Sequence, residues 1–230
     1  FSKLFRERLC RGKYRDVRRP VLLNSWEACY FGFDSDRLMK IGDSCAELGI
    51  ELMVIDDGWF GKRNDDHSSL GDWFVNEEKL PGGIKRISDH LNAKGVKLGI
   101  WFEPEMISPI SELYKAHPDW CLHYENRPRS EGRYQLILDL TRKDVCDYIY
   151  ESVAKILREG GISYVKWDFN RNMSEAGSAL LGAGKQREVD FRYYLGLYSV
   201  LERLNEEFPD VLFESCSGGG GRFDAGMLYY

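Results

Sequence analysis

Short apolar runs alternate with longer amphipathic stretches along most of the chain, and this alternation limits the fold more than any other feature. An apolar run bounded by polar residues is typical of a buried strand, whereas apolar residues at helical spacing indicate a helix. Strands that alternate with helices form parallel sheets or barrels, because a parallel pair needs a long crossover connection. The predicted strands are 21–26, 52–59, 96–105, 135–140, 162–169 and 211–217.

The stretches between these runs carry start and stop signals of helices. Asp34 or Ser35 can cap the first predicted helix, and Gly49 can end it. The other predicted helices are 83–95, a short one near 109–116, 143–161 and 189–208. Together these elements make six strand–helix units.

The units predict a barrel more than an open sheet. A (β/α)8 barrel has eight units in about 250 residues. An open doubly wound sheet usually has a glycine-rich phosphate turn after its first strand, and this sequence lacks one there. We therefore expect an α/β fold, a (β/α)8 TIM barrel present as an incomplete segment of about six units. The segment would span 21–230 and stop before the last units of the barrel.

Charge and cysteine usage narrow the function classes. The net charge of −5 and the pI of about 5.5 argue against a nucleic-acid partner. The apolar runs are far shorter than the roughly 18 residues that a membrane helix needs. The six cysteines are scattered without CxxC pairs, which argues against zinc or redox motifs and favours a reducing, cytoplasmic compartment. Residues 1–20 carry eight Lys or Arg against two acids and are expected to be a linker from an upstream domain.

Polar and aromatic residues recur at the ends of the predicted strands. In a barrel the carboxyl ends of all strands form one rim, so residues far apart in sequence converge on one pocket. These residues are Trp26, Asp56, Asp57, Trp101, Glu103, Asp139, Lys166, Asp168, Glu214 and Cys216. The sequence therefore predicts a functional site at this rim.

Lys166 and Asp168 are two positions apart, so on a strand they point to the same side and can pair. A structural salt bridge is one interpretation of this spacing. The other is catalytic, because a neighbouring lysine lowers the pKa of an aspartate and a glycosidase needs an ionised carboxylate as its nucleophile.

The adjacent Asp56 and Asp57 allow several interpretations: a loop cap, a grip on sugar hydroxyls, or a metal site. A metal-dependent barrel would use Asp56, Asp139 and Glu214, although zinc and iron sites usually contain histidine, and the histidines lie in predicted loops or helices. Four tryptophans lie at or just after strand ends, where they could stack on a sugar or pack in the core: Trp26, Trp59, Trp101 and Trp167. The glycine run at 218–221 suits close approach of backbone to a ligand.

Five motifs carry a family resemblance: NSWEA, IDDGWFG, GIWFEPEM, KWDFNR and ESCSGGGGRFDAGMLYY. In order and spacing they resemble the catalytic barrel of the α-galactosidases of glycoside hydrolase family 36, over roughly residues 20 to 230. The resemblance implies retaining hydrolysis of terminal α-1,6-linked galactose from oligosaccharides such as melibiose and raffinose, through a covalent galactosyl-enzyme intermediate. It implies no metal and no organic cofactor, and a full-length protein that forms homo-oligomers.

The resemblance also assigns residues. Asp168 matches the catalytic nucleophile. The positions that match sugar-binding residues are Trp26, Asp56, Asp57, Trp101, Arg133, Lys166, Asn170, Cys216 and Gly219. The family's acid/base aspartate lies in a W-T-S-D segment that is not among these residues, and Asp224 is not expected to replace it. Two alternatives remain open, a galactosyltransferase of the raffinose or stachyose synthase type and a non-catalytic galactoside-binding module.

Overall fold

A parallel sheet forms the centre of the protein, as seen in a computed structural model that describes residues 1–174 and 176–230. The strands in these residues are β1 (Leu22–Asn24), β2 (Leu52–Ile55), β3 (Lys97–Phe102), β4 (Met106–Ile107), β5 (Leu136–Ile137), β6 (Tyr164–Trp167) and β7 (Leu212–Ser215). Five of them form the parallel sheet in the order β1-β2-β3-β6-β7. The sheet follows chain order without the reversal of a doubly wound fold, which confirms the predicted barrel segment.

Helices precede the sheet and connect its strands. They are α1 (Ser2–Arg8), α2 (Trp26–Cys29), α3 (Ser35–Glu47), α4 (Gly83–Asn92), α5 (Glu112–Ala116), α6 (Lys143–Gly160) and α7 (Val189–Glu207). Asp34 caps α3 as predicted, accepting a 2.8 Å hydrogen bond from the Arg37 amide. Gly161, with φ of +64°, ends α6 in the left-handed conformation that glycine adopts without strain. Within the described ranges, no helix is both long and apolar enough to span a membrane.

The register of the sheet separates an inner from an outer face. Gly99 pairs with both Val54 and Tyr164, and Tyr164 pairs with Leu212, so these residues share one side. A Cβ on Gly99 would lie 3.0 Å from side-chain atoms of Val54 and Tyr164, and glycine therefore lets the inner layer close. Residues of opposite parity, such as Ile100 and Val165, pack with the helices in the main core.

The predicted strand at 135–140 does not join the barrel, and this prediction was wrong. β3 pairs directly with β6 over four positions, which leaves no room for a strand between them. Instead β5 pairs antiparallel with β4 in a separate two-stranded sheet. Pro104 lacks an amide proton and turns the chain away after β3, so 103–140 forms an insertion at the carboxyl edge of the sheet. The predicted six units thus become five barrel strands.

The basic N-terminal segment packs against the last helix. Both terminal nitrogens of Arg11 donate to the Glu202 carboxylate on α7, at 2.9 and 2.6 Å. The Tyr14 hydroxyl donates to the Asp210 carbonyl at 2.6 Å. That residues 1–20 connect to an upstream domain stays a prediction.

Gly196 lets α7 approach the loop before α6 closely, since an added Cβ would lie 1.9 Å from the Leu140 carbonyl oxygen. We expect Gly196→Ala to lower the free energy of unfolding by about 2 kcal/mol or more, because backbone atoms must move apart. Urea denaturation measures this change. Ser199→Ala, on an exposed turn of the same helix, is the control and should change stability by less than about 0.5 kcal/mol. Equal stability of Gly196→Ala and the parent would contradict this account of the helix contact.

Candidate active site

The sheet register brings distant polar residues into neighbouring rows on the inner face. Trp101 pairs with Lys166, and Lys166 pairs with Glu214. Asp56 follows the paired Ile55 and so lies at the same level. Because side chains alternate between faces, the next inner row contains Glu103, Asp168 and Cys216. The predicted convergence at the strand ends is therefore observed for these residues.

The buried Asp56 and the partly buried Lys166 form an ion pair. The Lys166 Nζ lies 2.8 Å from Asp56 Oδ2, and the Asn24 side-chain amide donates to the same oxygen at 2.6 Å. Burial lowers the pKa of Lys166, but the charge and hydrogen bond of Asp56 outweigh it and hold the pKa above its usual range. The sequence suggested a pair between Lys166 and Asp168, but in the structure Lys166 forms its ion pair with Asp56.

Asp168 is buried, at 4% exposure, and its two oxygens accept hydrogen bonds. Oδ2 accepts from Trp101 Nε1 at 3.0 Å, and Oδ1 accepts from the Phe169 amide at 2.9 Å. Burial raises the pKa of Asp168, but hydrogen bonds from Asn170, Trp101 and Cys216 and the charge of Lys166 outweigh it and keep the pKa below its usual range. The site therefore holds an ionised, oriented carboxylate.

Asp57 anchors a loop through a buried arginine. Arg63 Nε donates to Asp57 Oδ1 at 3.0 Å, and Arg63 Nη2 donates to Oδ2 at 2.8 Å. Burial raises the pKa of Asp57 despite this arginine. Lys79 donates to the carbonyls of Phe31, Gly58 and Arg63 at 3.0–3.1 Å and ties the same loop to the end of β2. The two adjacent acids thus have different partners, Lys166 for Asp56 and Arg63 for Asp57.

Three of the four tryptophans are buried in the core, and for Trp59 and Trp167 the packing alternative holds. Trp59 and Trp167 are 0% and 1% exposed. Trp167 has the outward parity on β6, opposite to Lys166 and Asp168, and its Nε1 donates to Glu105 at 2.8 Å. Trp101 contacts Asp168 from the inner face. Trp26 is half-buried at the start of α2, next to the Asn24 that holds Asp56.

The glycine run lies beside Asp168. The Gly218 amide donates to Asn170 Oδ1 at 3.0 Å, and the Cys216 amide donates to the Trp167 carbonyl at 2.8 Å. Gly219 has a φ of +93°, a conformation that favours glycine. Burial raises the pKa of the Cys216 thiol to about 11, so this cysteine is a neutral donor. All six described cysteines are free.

Arg133 lies at the tip of a two-residue hairpin that Gly132 and Gln135 close with hydrogen bonds of 3.2 and 3.1 Å. Arg133 and Tyr134 have φ values of +56° and +58°, and such backbone strain in non-glycine residues occurs preferentially at functional sites. Arg133 is exposed, and no hydrogen bond found among the described residues joins it to Asp168. Only the base of the hairpin reaches the site.

The residues of the metal alternative serve other contacts. Asp139 accepts from the Thr141 amide and hydroxyl at 3.0 and 2.6 Å, and Glu214 accepts from Tyr164. In the part of the chain that the structure describes, no three His, Cys, Asp or Glu side chains are grouped for a metal ion. Asp224 accepts from Tyr198 on α7 at 3.1 Å and from the Met227 amide at 3.0 Å, which is a packing role.

Several site residues escaped sequence reasoning. Asn24 donates to Asp56, and Arg63 donates to Asp57. Gln135 lies at the base of the Arg133 hairpin and contacts Glu103. Asn24 is the last residue of β1, two positions before Trp26, so its position was a usable signal. Arg63 and Gln135 sit in an irregular loop and a misassigned strand, where the sequence gives no periodicity to place a side chain.

A cavity of about 610 Å³ lies elsewhere, between residues 10–19 and β7. Its lining includes Ser215 and Arg222 but none of the predicted site residues. β7 has a sheet neighbour on one side only, so this cavity follows the open edge of the sheet.

An ionised aspartate at the carboxyl end of a barrel strand, with further acids and indoles on the same inner face, defines a barrel of the glycoside hydrolase class. Comparison with known proteins agrees with this class. The chain belongs to the melibiase family, whose family model matches residues 1–230. The resemblance to glycoside hydrolase family 36 is thereby confirmed.

Individual relatives show how much of the family's length is present. The chain is 57% identical to "Alpha-galactosidase AgaA" of Geobacillus stearothermophilus over 230 residues, covering 100% of this chain and 32% of that protein. It is 50% identical to "Alpha-galactosidase Mel36A" of Lactobacillus acidophilus, covering 100% of this chain and 31% of the relative. The chain thus spans about a third of the length of the curated relatives.

Solved structures match equally well. A crystal structure of the family 36 α-galactosidase AgaA superimposes with a TM-score of 0.97 at 58% identity, over 99% of this chain and 32% of that one. A crystal structure of an AgaA variant in complex with raffinose gives a TM-score of 0.97, with the same coverage. The fold is therefore that of part of a family 36 barrel.

The buried ion pair can be tested by stability measurements. We expect Lys166→Met to lower the free energy of unfolding by about 3 kcal/mol, because Asp56 is left as a buried carboxylate without a cation. Combining it with Asp56→Asn should recover part of this loss. Lys85→Met, which breaks an exposed pair with Asp89, is the control and should cost less than about 1 kcal/mol. Equal losses for the buried and the exposed pair would contradict the assignment.

Proposed function

We propose that this chain supplies the nucleophile and part of the sugar site of an α-galactosidase. The parent enzyme would be a retaining glycoside hydrolase that releases terminal α-1,6-linked galactose from oligosaccharides such as melibiose and raffinose. The observation that carries the proposal is the ionised Asp168 carboxylate, held by Trp101 and flanked by the Lys166–Asp56 pair. The names of the relatives and the raffinose in the AgaA variant structure support the substrate class.

Asp168 would act first. Its carboxylate attacks the anomeric carbon of galactose and forms a covalent ester while the glycosidic bond breaks, and water later cleaves the ester. The hydrogen bond from Trp101 Nε1 fixes the direction of the Oδ2 lone pairs. The leaving oxygen needs a proton from a second carboxylic acid, about 5–5.5 Å from the nucleophile in retaining enzymes. Asp224 is not proposed for this role, because it is bound to α7.

The other residues would bind the sugar. Charged hydrogen bonds from the Lys166 ammonium and to the Asp56 carboxylate suit galactose hydroxyls. Asp57 would contribute by the same chemistry while Arg63 holds it. The remaining proposed contacts are Trp26, Trp101, Arg133, Asn170, Cys216 and Gly219.

The setting of the enzyme is part of the proposal. Residues 21–230 would belong to the catalytic barrel, and residues 1–20 would lead from an upstream domain. The acidic composition and scattered cysteines support a cytoplasmic protein without a nucleic-acid or membrane partner. The family resemblance supports a homo-oligomer that uses no metal or organic cofactor.

Chemical rescue tests the nucleophile in the natural polypeptide that carries this chain. We expect Asp168→Gly to reduce cleavage of an activated aryl α-galactoside by about 10³-fold or more. Azide can occupy the space of the lost carboxylate, so it should restore turnover and give β-galactosyl azide. Asp224→Asn is the matched control and should need no rescue, because Asp224 lies on the packing side of the loop.

Product analysis with raffinose, together with the azide experiment, separates the alternatives. Free galactose from raffinose with the parent protein supports hydrolysis, whereas longer oligosaccharides as the main product would indicate galactosyl transfer. Galactose binding without cleavage and without azide rescue would indicate a binding module and end the proposal.

The pH dependence tests how the nucleophile is kept ionised. Activity needs the Asp168 carboxylate, so it is lost as the pH falls through the pKa of Asp168. Trp101→Phe removes a hydrogen bond to that carboxylate, and we expect the acid limb of kcat/KM to move up by about one pH unit. Trp73→Phe is the control, because Trp73 Nε1 is buried without a hydrogen-bond partner among the described residues. An unchanged acid limb in Trp101→Phe would count against the donor role.

A further inference from the structure

Glu103 is a buried carboxyl group that the proposed mechanism does not use. It directly follows β3, has the inward parity of Trp101, and is 1% exposed. Its Oε1 accepts a 2.5 Å hydrogen bond from the backbone amide of Asn170. Glu103 therefore holds the segment that directly follows Asp168.

The second carboxyl oxygen faces Gln135. Gln135 Nε2 lies 3.4 Å from Glu103 Oε2, and Gln135 is fully buried. Gln135 Oε1 has no hydrogen-bond partner among the described residues, which is costly for a buried acceptor. Turning this amide over brings its oxygen towards Glu103 Oε2, where a protonated carboxyl group could donate to it. In this orientation the oxygen of Gln135 gains a partner only when Glu103 carries a proton.

The charges around Glu103 favour the same neutral form. Two carboxylates, Asp168 and Asp57, disfavour its ionised form, and the cation Arg63, which favours that form, is already bound to Asp57. Among the described residues no Lys, Arg or His forms an ion pair with Glu103. The pKa of Glu103 is raised to about 8, mainly by burial. The charges of Asp168 and Asp57 also raise it, whereas the hydrogen bond from the Asn170 backbone amide and the charge of Arg63 lower it.

Glu103 joins two segments of the site. Through Asn170 it contacts the chain after Asp168, and through Gln135 it contacts the base of the hairpin that presents Arg133. A neutral carboxyl group can accept from one segment and donate to the other. An ionised one only accepts, and it would place a third negative charge beside Asp168 and Asp57.

Resting on the proposed function, we propose that Glu103 is a protonated positioning residue, whose neutral carboxyl group fixes the Asn170 segment and the Arg133 hairpin around the nucleophile. Loss of its proton removes the donor to Gln135 and repels the Asp168 carboxylate. Glu103 is not the proton donor to the leaving group, because its burial and its hydrogen bonds keep it from a bound substrate.

The pH–rate profile with α-galactosyl fluoride tests this role, because fluoride leaves without a proton from the enzyme's acid. In the natural polypeptide, the parent rate should fall as the pH rises through about 8, the pKa of Glu103. Glu103→Gln keeps an acceptor and a donor but cannot ionise, so its rate should change only a few-fold and lose this alkaline fall. Glu103→Ala should lose about 100-fold at every pH, because the nucleophile is misplaced. Glu112→Gln, an exposed change on the same insertion, should leave rate and profile unchanged.

The pH dependence of the unfolding free energy reports the protonation of Glu103 without an activity assay. This test is therefore valid even if the chain is not part of a galactosidase. An unfolded glutamate ionises near pH 4.5, whereas folded Glu103 ionises near 8. The parent should therefore lose stability relative to Glu103→Gln as the pH rises from 4.5 to 8 and show no further loss above 8. A constant difference in unfolding free energy across this range would overturn the proposal, as would an alkaline fall in rate that persists in Glu103→Gln. Absence of any turnover of α-galactosyl fluoride, with the stability difference still present, would overturn only the proposed function.

Discussion

The alignment of the parallel strands is the constraint on which the rest of the structure depends. Pairing of Gly99 with Tyr164, and of Tyr164 with Leu212, sets which side chains share the inner face. A shift of one residue in any strand would turn its polar end towards the helices and its apolar residues towards the site. Packing of the inner layer around Gly99 and of the outer layer against the helices makes such a shift costly. The site is therefore a consequence of how the core packs.

Within this frame, the electrostatics divide the acids into separate roles. Asp56 has a cation, Asp57 has an arginine, and Asp168 has neutral donors and a nearby lysine. Among the described residues no cation forms an ion pair with Glu103, and burial is the largest cause of its raised pKa. Four carboxyl groups in one small region can coexist because their partners differ. An aspartate whose pKa is lowered, next to a glutamate whose pKa is raised, follows from this arrangement.

Much of this could be predicted from sequence, and the failures have physical causes. The KWD spacing placed Lys166 and Asp168 on one face correctly, because the strand period of two is a local property. The same rule places Trp167 on the opposite, outward face. Its position at a strand end nevertheless makes it look like a rim residue. The run at 135–140 looks like a barrel strand, but only long-range pairing of β3 with β6 decides that it is not one. Partner choice, such as Lys166 with Asp56, depends on distances that no local pattern contains.

The central claim is that the carboxylate at Asp168 becomes covalently bound to galactose. A fluorinated galactosyl fluoride that forms a long-lived glycosyl ester, followed by proteolysis and mass spectrometry, measures this directly. The account predicts one sugar per polypeptide, on the peptide YVKWDFNR and esterified to Asp168. A sugar attached to any other residue, or time-dependent inactivation without a covalent adduct, would contradict it.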